Sequence, residues 1–327
     1  MKSNFLAGDG FYYRIDKCGR PLGLKVRDGF LYVVDAKFGL FRINLDTKLT
    51  ENILNEIPFL HDAKVVFFNS LAFDPIKPYL VYISITSTRW GIDQVPISLL
   101  EHENSGYLIS YDMKAQTITK LAEGLYFANG IDVSSDQHYL YLAQTTNFSL
   151  HRIALSEIHD QIDYPSSSKL PNLDQFFTTM PGEPDNVVVH DGKVYVGFAL
   201  ARIDSRPSLS DALSKYPRLR RGFARYSFFS FKLFDHLYSL FPSDFLEWFR
   251  FHLYSMYFIY SELPLRTAFA ILDESTGRLE RLVITDEANF FSEVAPIPNT
   301  TEVLIGSFRN DFIIRANLAD LDLKAEV

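Results

Sequence analysis

The chain has 327 residues, 47% of them hydrophobic and 22% charged, with a formal net charge of −8. That balance fits a packed globular protein with a substantial core, and the acidic excess argues against general nucleic-acid binding, which calls for a basic surface. The single cysteine, Cys18, excludes an intramolecular disulfide framework, no apolar run reaches the roughly 18 residues of a transmembrane helix, and the start lacks the layout of a signal peptide.

In chain order, residues 8–16 read Gly-Asp-Gly-Phe-Tyr-Tyr-Arg-Ile-Asp, the pattern of a third strand whose two predecessors are missing. Next come short strands with an aromatic or aliphatic centre: 31–34, 81–83, 140–142, 194–196 and 303–305. Most follow a turn rich in Asp, Gly, Pro or Asn, which is hairpin chemistry. The first four recur roughly every 50 to 60 residues, a spacing typical of propeller blades. A second strand type precedes each of them, at 21–26, 69–73, 129–133, 185–189 and 293–297. A third follows, at 39–45, 106–112, 150–155, 268–273 and 312–318. A polar fourth strand often ends the unit, as at 117–121 or 278–284. Four strand types returning in a fixed order favour a propeller over a sandwich. The expected fold is all-β: a single-domain six-bladed β-propeller over residues 1–327 with an incomplete first blade. The alternative is a genuine five-bladed ring.

Residues 201–264 interrupt a late blade and have little strand character. From Phe223 to Tyr260 aromatics recur at steps of three and four, among them Phe231, Phe234, Tyr238 and Phe241, then Phe245, Phe249, Leu253 and Tyr257. This is helical periodicity, broken at Pro242-Ser243-Asp244, where Ser243 is placed to cap a second helix. Arg218, Arg220, Arg221 and Arg225 cluster at the entrance. Two readings stand: a helical lid over the propeller mouth, or contact with an anionic membrane surface through residues 218–260.

Aligning the innermost strands on Leu71, Ile131, Val187 and Val294 places Asn69, Asn129 and Asp185 at one shared position and Asn186 and Glu293 at the next. Equivalent positions of innermost strands converge on a propeller axis. Amide and carboxylate oxygens gathered there suit a hard cation such as calcium. Elsewhere there is no Gly-x-Ser-x-Gly elbow, no glycine-rich phosphate loop and no His-Glu-x-x-His. The eight histidines are expected in loops or on the surface and none at an inner-strand position, and Asp35 ends a strand, either reaching the mouth or forming a turn. Asn147-Phe148-Ser149 and Asn299-Thr300-Thr301 satisfy the glycosylation sequon.

Cys18-Gly19-Arg20-Pro21-Leu22-Gly23, Val34-Asp35-Ala36 with Gly39-Leu40, Tyr126-Phe127-Ala128-Asn129-Gly130, Pro181-Gly182-Glu183-Pro184-Asp185-Asn186 and Ile305-Gly306-Ser307-Phe308 resemble signatures of the strictosidine synthase-like family. Within that family they resemble the branch of the animal adipocyte plasma membrane-associated proteins. The resemblance implies a six-bladed propeller, relatives with arylesterase or lactonase-type hydrolysis, and a central calcium in the wider superfamily. It also implies an N-terminal anchor with the propeller on the lumenal or extracellular side of the endoplasmic reticulum or plasma membrane. It assigns Asn69, Asn129, Asp185 and Asn186 as calcium ligands and puts Glu293 at the catalytic glutamate of the alkaloid-forming enzymes.

The sequence departs from the family pattern at Ser70, in Ser84-Ile85-Thr86-Ser87 and at Gln144, where acidic residues are expected, and a first-blade acidic ligand would lie upstream of Met1. Each lost carboxylate weakens attraction for a dication, so the chain as written is expected to bind calcium weakly. Two functions follow. One is a calcium-assisted hydrolase of small apolar esters or lactones with Asp185 or Glu293 as general base. The other is a catalytically decayed, membrane-associated binding or adaptor propeller.

Overall fold

The computed structural model describes residues 18–164, 170–202, 209–256, 266–285, 288 and 290–321. The 8–16 segment, Tyr257 and part of the 201–264 insertion therefore lie outside the described residues. Those described form a mostly β protein of five antiparallel sheets, each a simple meander in sequence order.

The first sheet contains β1 (Pro21–Arg27), β2 (Phe30–Asp35), β3 (Gly39–Asn44) and β4 (Thr50–Leu54). The second contains β5 (Phe67–Phe73), β6 (Leu80–Ser87), β7 (Gly106–Asp112) and β8 (Thr117–Leu125), and the third β9 (Ala128–Val133), β10 (Tyr139–Gln144), β11 (Ser149–Ala154) and β12 (Asp174–Phe177). The fourth contains β13 (Gly182–His190), β14 (Lys193–Ala201), β15 (Thr267–Asp273) and β16 (Leu279–Thr285). The fifth has three strands, β17 (Phe291–Pro296), β18 (Glu302–Ser307) and β19 (Ile314–Asn317). The second strand Leu80–Ser87 is buried throughout because both its faces are covered by neighbouring sheets.

The first strands of successive sheets touch one another: β1 with β5, β5 with β9, β9 with β13 and β13 with β17. Sheets stacked face to face around their first strands make a propeller arrangement. Each interface between successive sheets is filled by its own apolar cluster. Tyr32, Leu40, Leu71 and Ile83 fill the first, Tyr82, Leu108, Ile131 and Leu142 the second, Tyr141, Val187, Val196 and Ala270 the third, and Phe269, Phe291, Val294 and Ile305 the fourth.

Helices lie where the strands leave the sheets. α1 (Val95–Glu101) follows β6, and α2 (Leu155–Asp163) follows β11; neither is foreseen in the sequence reading. Between β14 and β15 come α3 (Leu209–Ser214), α4 (Pro217–Leu240) and α5 (Asp244–Ser255). The chain turns at Pro242, and the Ser243 hydroxyl accepts from Leu246 N at 3.3 Å, capping α5 as expected. α4 and α5 pair through rings, Phe231 with Tyr254 at 4.8 Å and Phe234 with Phe249 at 4.6 Å between centroids. Phe241 and Phe245 of the same aromatic series stay exposed.

Candidate functional site

Every sheet has an irregularity at the same place on its first strand. Opposite Ser84 stand both Asn69 and Ser70, opposite Ala143 both Asn129 and Gly130, and opposite Gly197 both Asp185 and Asn186, as the flanking pairs show. Ser292 in β17 and Leu22 in β1 are the corresponding extra residues. A β-bulge redirects side chains that regular pleating would turn into the blade interfaces. The candidate residues Asn69, Asn129, Asp185 and Asn186 occupy these bulges, and Glu293 follows one directly. Gly130 allows the inner strands to close up: a Cβ there would lie 2.4 Å from the Asn186 Cα.

The asparagines are held by threonines that the sequence reading passed over. Asn69 Nδ2 donates to Thr86 Oγ1 at 2.8 Å, and Thr86 Oγ1 donates to the Ala128 carbonyl of the next sheet at 2.8 Å. One blade further on the arrangement repeats. Asn129 Nδ2 donates to Thr145 Oγ1 at 3.0 Å, and Thr145 Oγ1 donates to the Pro184 carbonyl at 2.7 Å. The signal was present: in the second and third sheets a threonine stands at the end of the second strand, 17 residues after Asn69 and 16 after Asn129. Gln144, expected as the site of a lost glutamate, accepts Tyr126 N at 2.8 Å through Oε1.

At the centre, Asn129 is buried and its Oδ1 has no hydrogen-bond partner. The same amide reaches the Asp185 carboxylate. Asp185 keeps partial solvent access but is closely surrounded by protein. Burial pushes its carboxyl up to about 7, against the Asn129 hydrogen bond, with the neighbouring charges of Glu293 and Glu183 adding to the rise. Glu293 faces solvent yet is also raised, by desolvation first, with Lys25 opposing and Asp132 adding. Asn186 is half-buried, its backbone against Gly130.

A second ionic group closes the centre. Lys25 of β1 donates to Asp132 Oδ1 of β9 at 3.1 Å, while Asp132 Oδ2 accepts Val189 N of β13 at 2.9 Å. The pair joins the first, third and fourth sheets, and Lys25 also acts on Glu293 of the fifth. Sequence reading missed it, since 107 residues separate the partners.

Above the bulges lies an apolar roof. Leu99 of α1 packs with Phe127, Phe67 and Leu22 on one side and with Leu200 and Phe290 on the other. Ile97 and Leu100 of the same helix pack against Ala224, Phe228 and Met256 of the insertion. α1 therefore lies between the mouth and the helical hairpin. Glu101, almost fully buried, accepts Trp90 Nε1 at 3.2 Å and pairs with Arg89 at 3.3 Å and Arg225 at 3.1 Å, fastening the hairpin to the second sheet. Arg220 of the basic cluster at the entrance is buried.

Two histidines depart from their expected places. His190 ends the inner strand β13, and His151 is buried on β11, its Nε2 2.9 Å from Ser149 Oγ and its Nδ1 without a partner. Asp35 is a turn former: its Oδ1 accepts Lys37 N at 2.9 Å and Phe38 N at 3.1 Å.

Whether this centre suits a hard cation rests on its donors. Among the described residues no cluster of three or more His, Cys, Asp and Glu is disposed to hold a metal ion. An orphaned buried amide oxygen beside a desolvated carboxylate is nonetheless the chemistry such a cation satisfies. The donors fit calcium through amides more than through charge.

Residues 69–158 match the protein family described as strictosidine synthase. Over that segment the chain resembles the strictosidine synthase-like proteins. Its curated relatives include the adipocyte plasma membrane-associated proteins of Salmo salar, 30% identical over 65% of this chain and 49% of that protein, and of Rattus norvegicus, 29% identical over 62% and 52%. Strictosidine synthase-like protein 10 of Arabidopsis thaliana is 32% identical over 52% of this chain and 42% of its own length. The chain spans about half the length of these relatives. Among solved structures, a luciferin-regenerating enzyme shares the fold with a TM-score of 0.51 at 14% identity, covering 90% of this chain and 71% of that one. A putative gluconolactonase aligns with a TM-score of 0.50 at 11% identity, over 88% and 71%.

Proposed function

We propose that this strictosidine synthase-like protein is a calcium-assisted hydrolase of small apolar esters or lactones, built on a six-bladed propeller. The observation that carries the reading is the Asn129 amide: pinned through Nδ2, in contact with Asp185, and left with a buried, unpartnered Oδ1. Asn69, Asn129, Asp185 and Asn186 would hold the ion. Bound calcium supplies an electrophile for a substrate carbonyl. The chain's own residues do the rest. Asp185 or Glu293, whose carboxyls desolvation raises above the ordinary carboxylate range, would take a proton from water. The Leu22, Leu99, Phe127 and Phe290 roof selects apolar substrates and excludes bulk water. Relatives that are named plasma membrane-associated support a place at a membrane; no helix among the described residues is long and apolar enough to cross one.

One observation favours the second reading, a binding or adaptor propeller without turnover. Lys25 already supplies a fixed positive charge near Glu293, and the Thr86, Thr145 and Gln144 side chains are engaged in holding the blades and the mouth loop. Turnover of phenyl acetate and a panel of lactones, with calcium and with chelator, separates the two. The hydrolase requires calcium-dependent turnover that Asp185→Asn abolishes while the fold is retained. Absence of turnover together with absence of a calcium-induced rise in Tm leaves the adaptor.

A further inference from the structure

The outward side of α4 carries two parallel rows with the same seven-residue step. Leu219, Tyr226, Leu233 and Leu240 form the first, at 64%, 69%, 51% and 56% exposure. Arg218, Arg225 and Lys232 form the second, one position before the apolar row. A seven-residue step drifts by only about 20° per repeat on an α-helix, so each row stays on one side along its length. The buried residues of α4, Arg220, Ala224 and Ser227, lie on the other side, toward α1 and α5. At 24 residues the helix is about 36 Å long. Where the hairpin turns into α5, Phe241, Phe245 and Trp248 are exposed as well, at 68%, 67% and 46%.

We infer that this face of α4 and the hairpin tip dock in the head-group region of an anionic lipid bilayer. The apolar row enters the acyl boundary while the cationic row reaches the lipid phosphates. Charge complementarity favours lipid: an arginine or lysine stem lies along apolar surface with its head at the phosphates, which is what a cation beside three of the four residues of the apolar row permits. A helical protein partner would need a second apolar row three or four residues beyond the first. The row three beyond is interrupted at Gly222 and His236, and the row four beyond at Ser230. Arg225 also pairs with Glu101 yet keeps 65% of its side chain exposed, so docking need not unfasten the hairpin. The inference stands apart from the reading of the centre, since it uses none of its residues.

The test is flotation of the full chain with phosphatidylcholine vesicles and with vesicles containing about one third phosphatidylserine. Binding to the anionic vesicles is expected, weakened by salt and at least about tenfold weaker on neutral ones. Leu233→Asp with Leu240→Asp is expected to lower partitioning at least about tenfold, and Arg218→Glu and Lys232→Glu about fivefold or more each, with unchanged Tm. Of the two tryptophans Trp90 is buried, so quenching by acyl-brominated lipid reports Trp248. No flotation of the wild-type chain overturns the inference, as do variants that float like it. A dimer in sedimentation velocity that Leu233→Asp dissociates, with flotation unchanged, also overturns it and assigns the face to a second copy.

Discussion

Replacing Thr145 by valine tests the link between the blade joint and the centre. The hydroxyl accepts Asn129 Nδ2 at 3.0 Å and donates to the Pro184 carbonyl at 2.7 Å, and the residue is only 4% exposed. Valine keeps the shape but leaves a buried donor and a buried acceptor short of a partner. Each such group costs about 1–3 kcal/mol, so with partial relaxation the pair costs about 2–4 kcal/mol. Unfolding entropy grows with chain length; for a chain of this size each kcal/mol moves Tm by about 1.5 °C, giving a fall of about 3–6 °C. Freed of its anchor, the Asn129 amide loses its orientation, and calcium affinity is expected to fall about 10- to 100-fold, as for loss of a group that orients a ligand. Titration calorimetry with calcium, beside thermal melts in calcium and in chelator, reads both effects. Thr145→Ser, which restores the hydroxyl, should recover most of each. A valine variant that melts lower but binds calcium like the wild type would refute the positioning role.

The metal-free protein should show a cost at Asp185. Its carboxyl is raised in the fold from an ordinary 3.8 to about 7, so between those values the folded chain keeps a proton that the unfolded chain releases, and stability falls as pH rises through that window. In chelator at pH 7.5, Asp185→Asn is expected to be more stable than wild type by on the order of 2 kcal/mol, with the difference vanishing near pH 4; equal melts at both pH values would contradict the burial argument. Gly130→Ala places a methyl 2.4 Å from the Asn186 Cα, a backbone atom that has no rotamer to yield. A loss of about 2 kcal/mol or more in denaturant melts, with loss of any calcium response, is expected; a neutral outcome would mean the inner strands separate more easily than their packing indicates.

Much of this was readable from the residues because short strands carry local signals. The alternation around Tyr32, Tyr82, Tyr141 and Tyr195 and the turns at Asp28-Gly29 and Asp191-Gly192 located most strands to within a few residues. Aligning Leu71, Ile131, Val187 and Val294 brought out the bulge positions, since the bulge falls just before the apolar residue in the second, third and fourth sheets and one residue earlier in the fifth. What escaped depends on closure of the chain on itself. Lys25 meets Asp132 only when the first and third sheets surround one axis. Thr86 and Thr145 stand beside the missing acids and draw no notice until their hydroxyls are seen bridging two blades. Helix α1 escaped because Val95–Glu101 is a single short stretch buried between mouth and hairpin, apolar around most of its surface and so without amphipathic period. His151 was expected outside because one polar ring gives no sign that Ser149 and the neighbouring sheet enclose it.

The threonine joints tie occupancy of the axis to the rim. Thr86 and Thr145 each serve two masters, orienting an amide at the centre and holding the next blade by its first residues. Anything that fixes those amides also tightens the seams between the second, third and fourth blades. A small ligand at the axis would then protect amide hydrogens and protease sites far out in the sheets, which it never touches. The molecule in effect reports the state of its hub through the rigidity of its spokes.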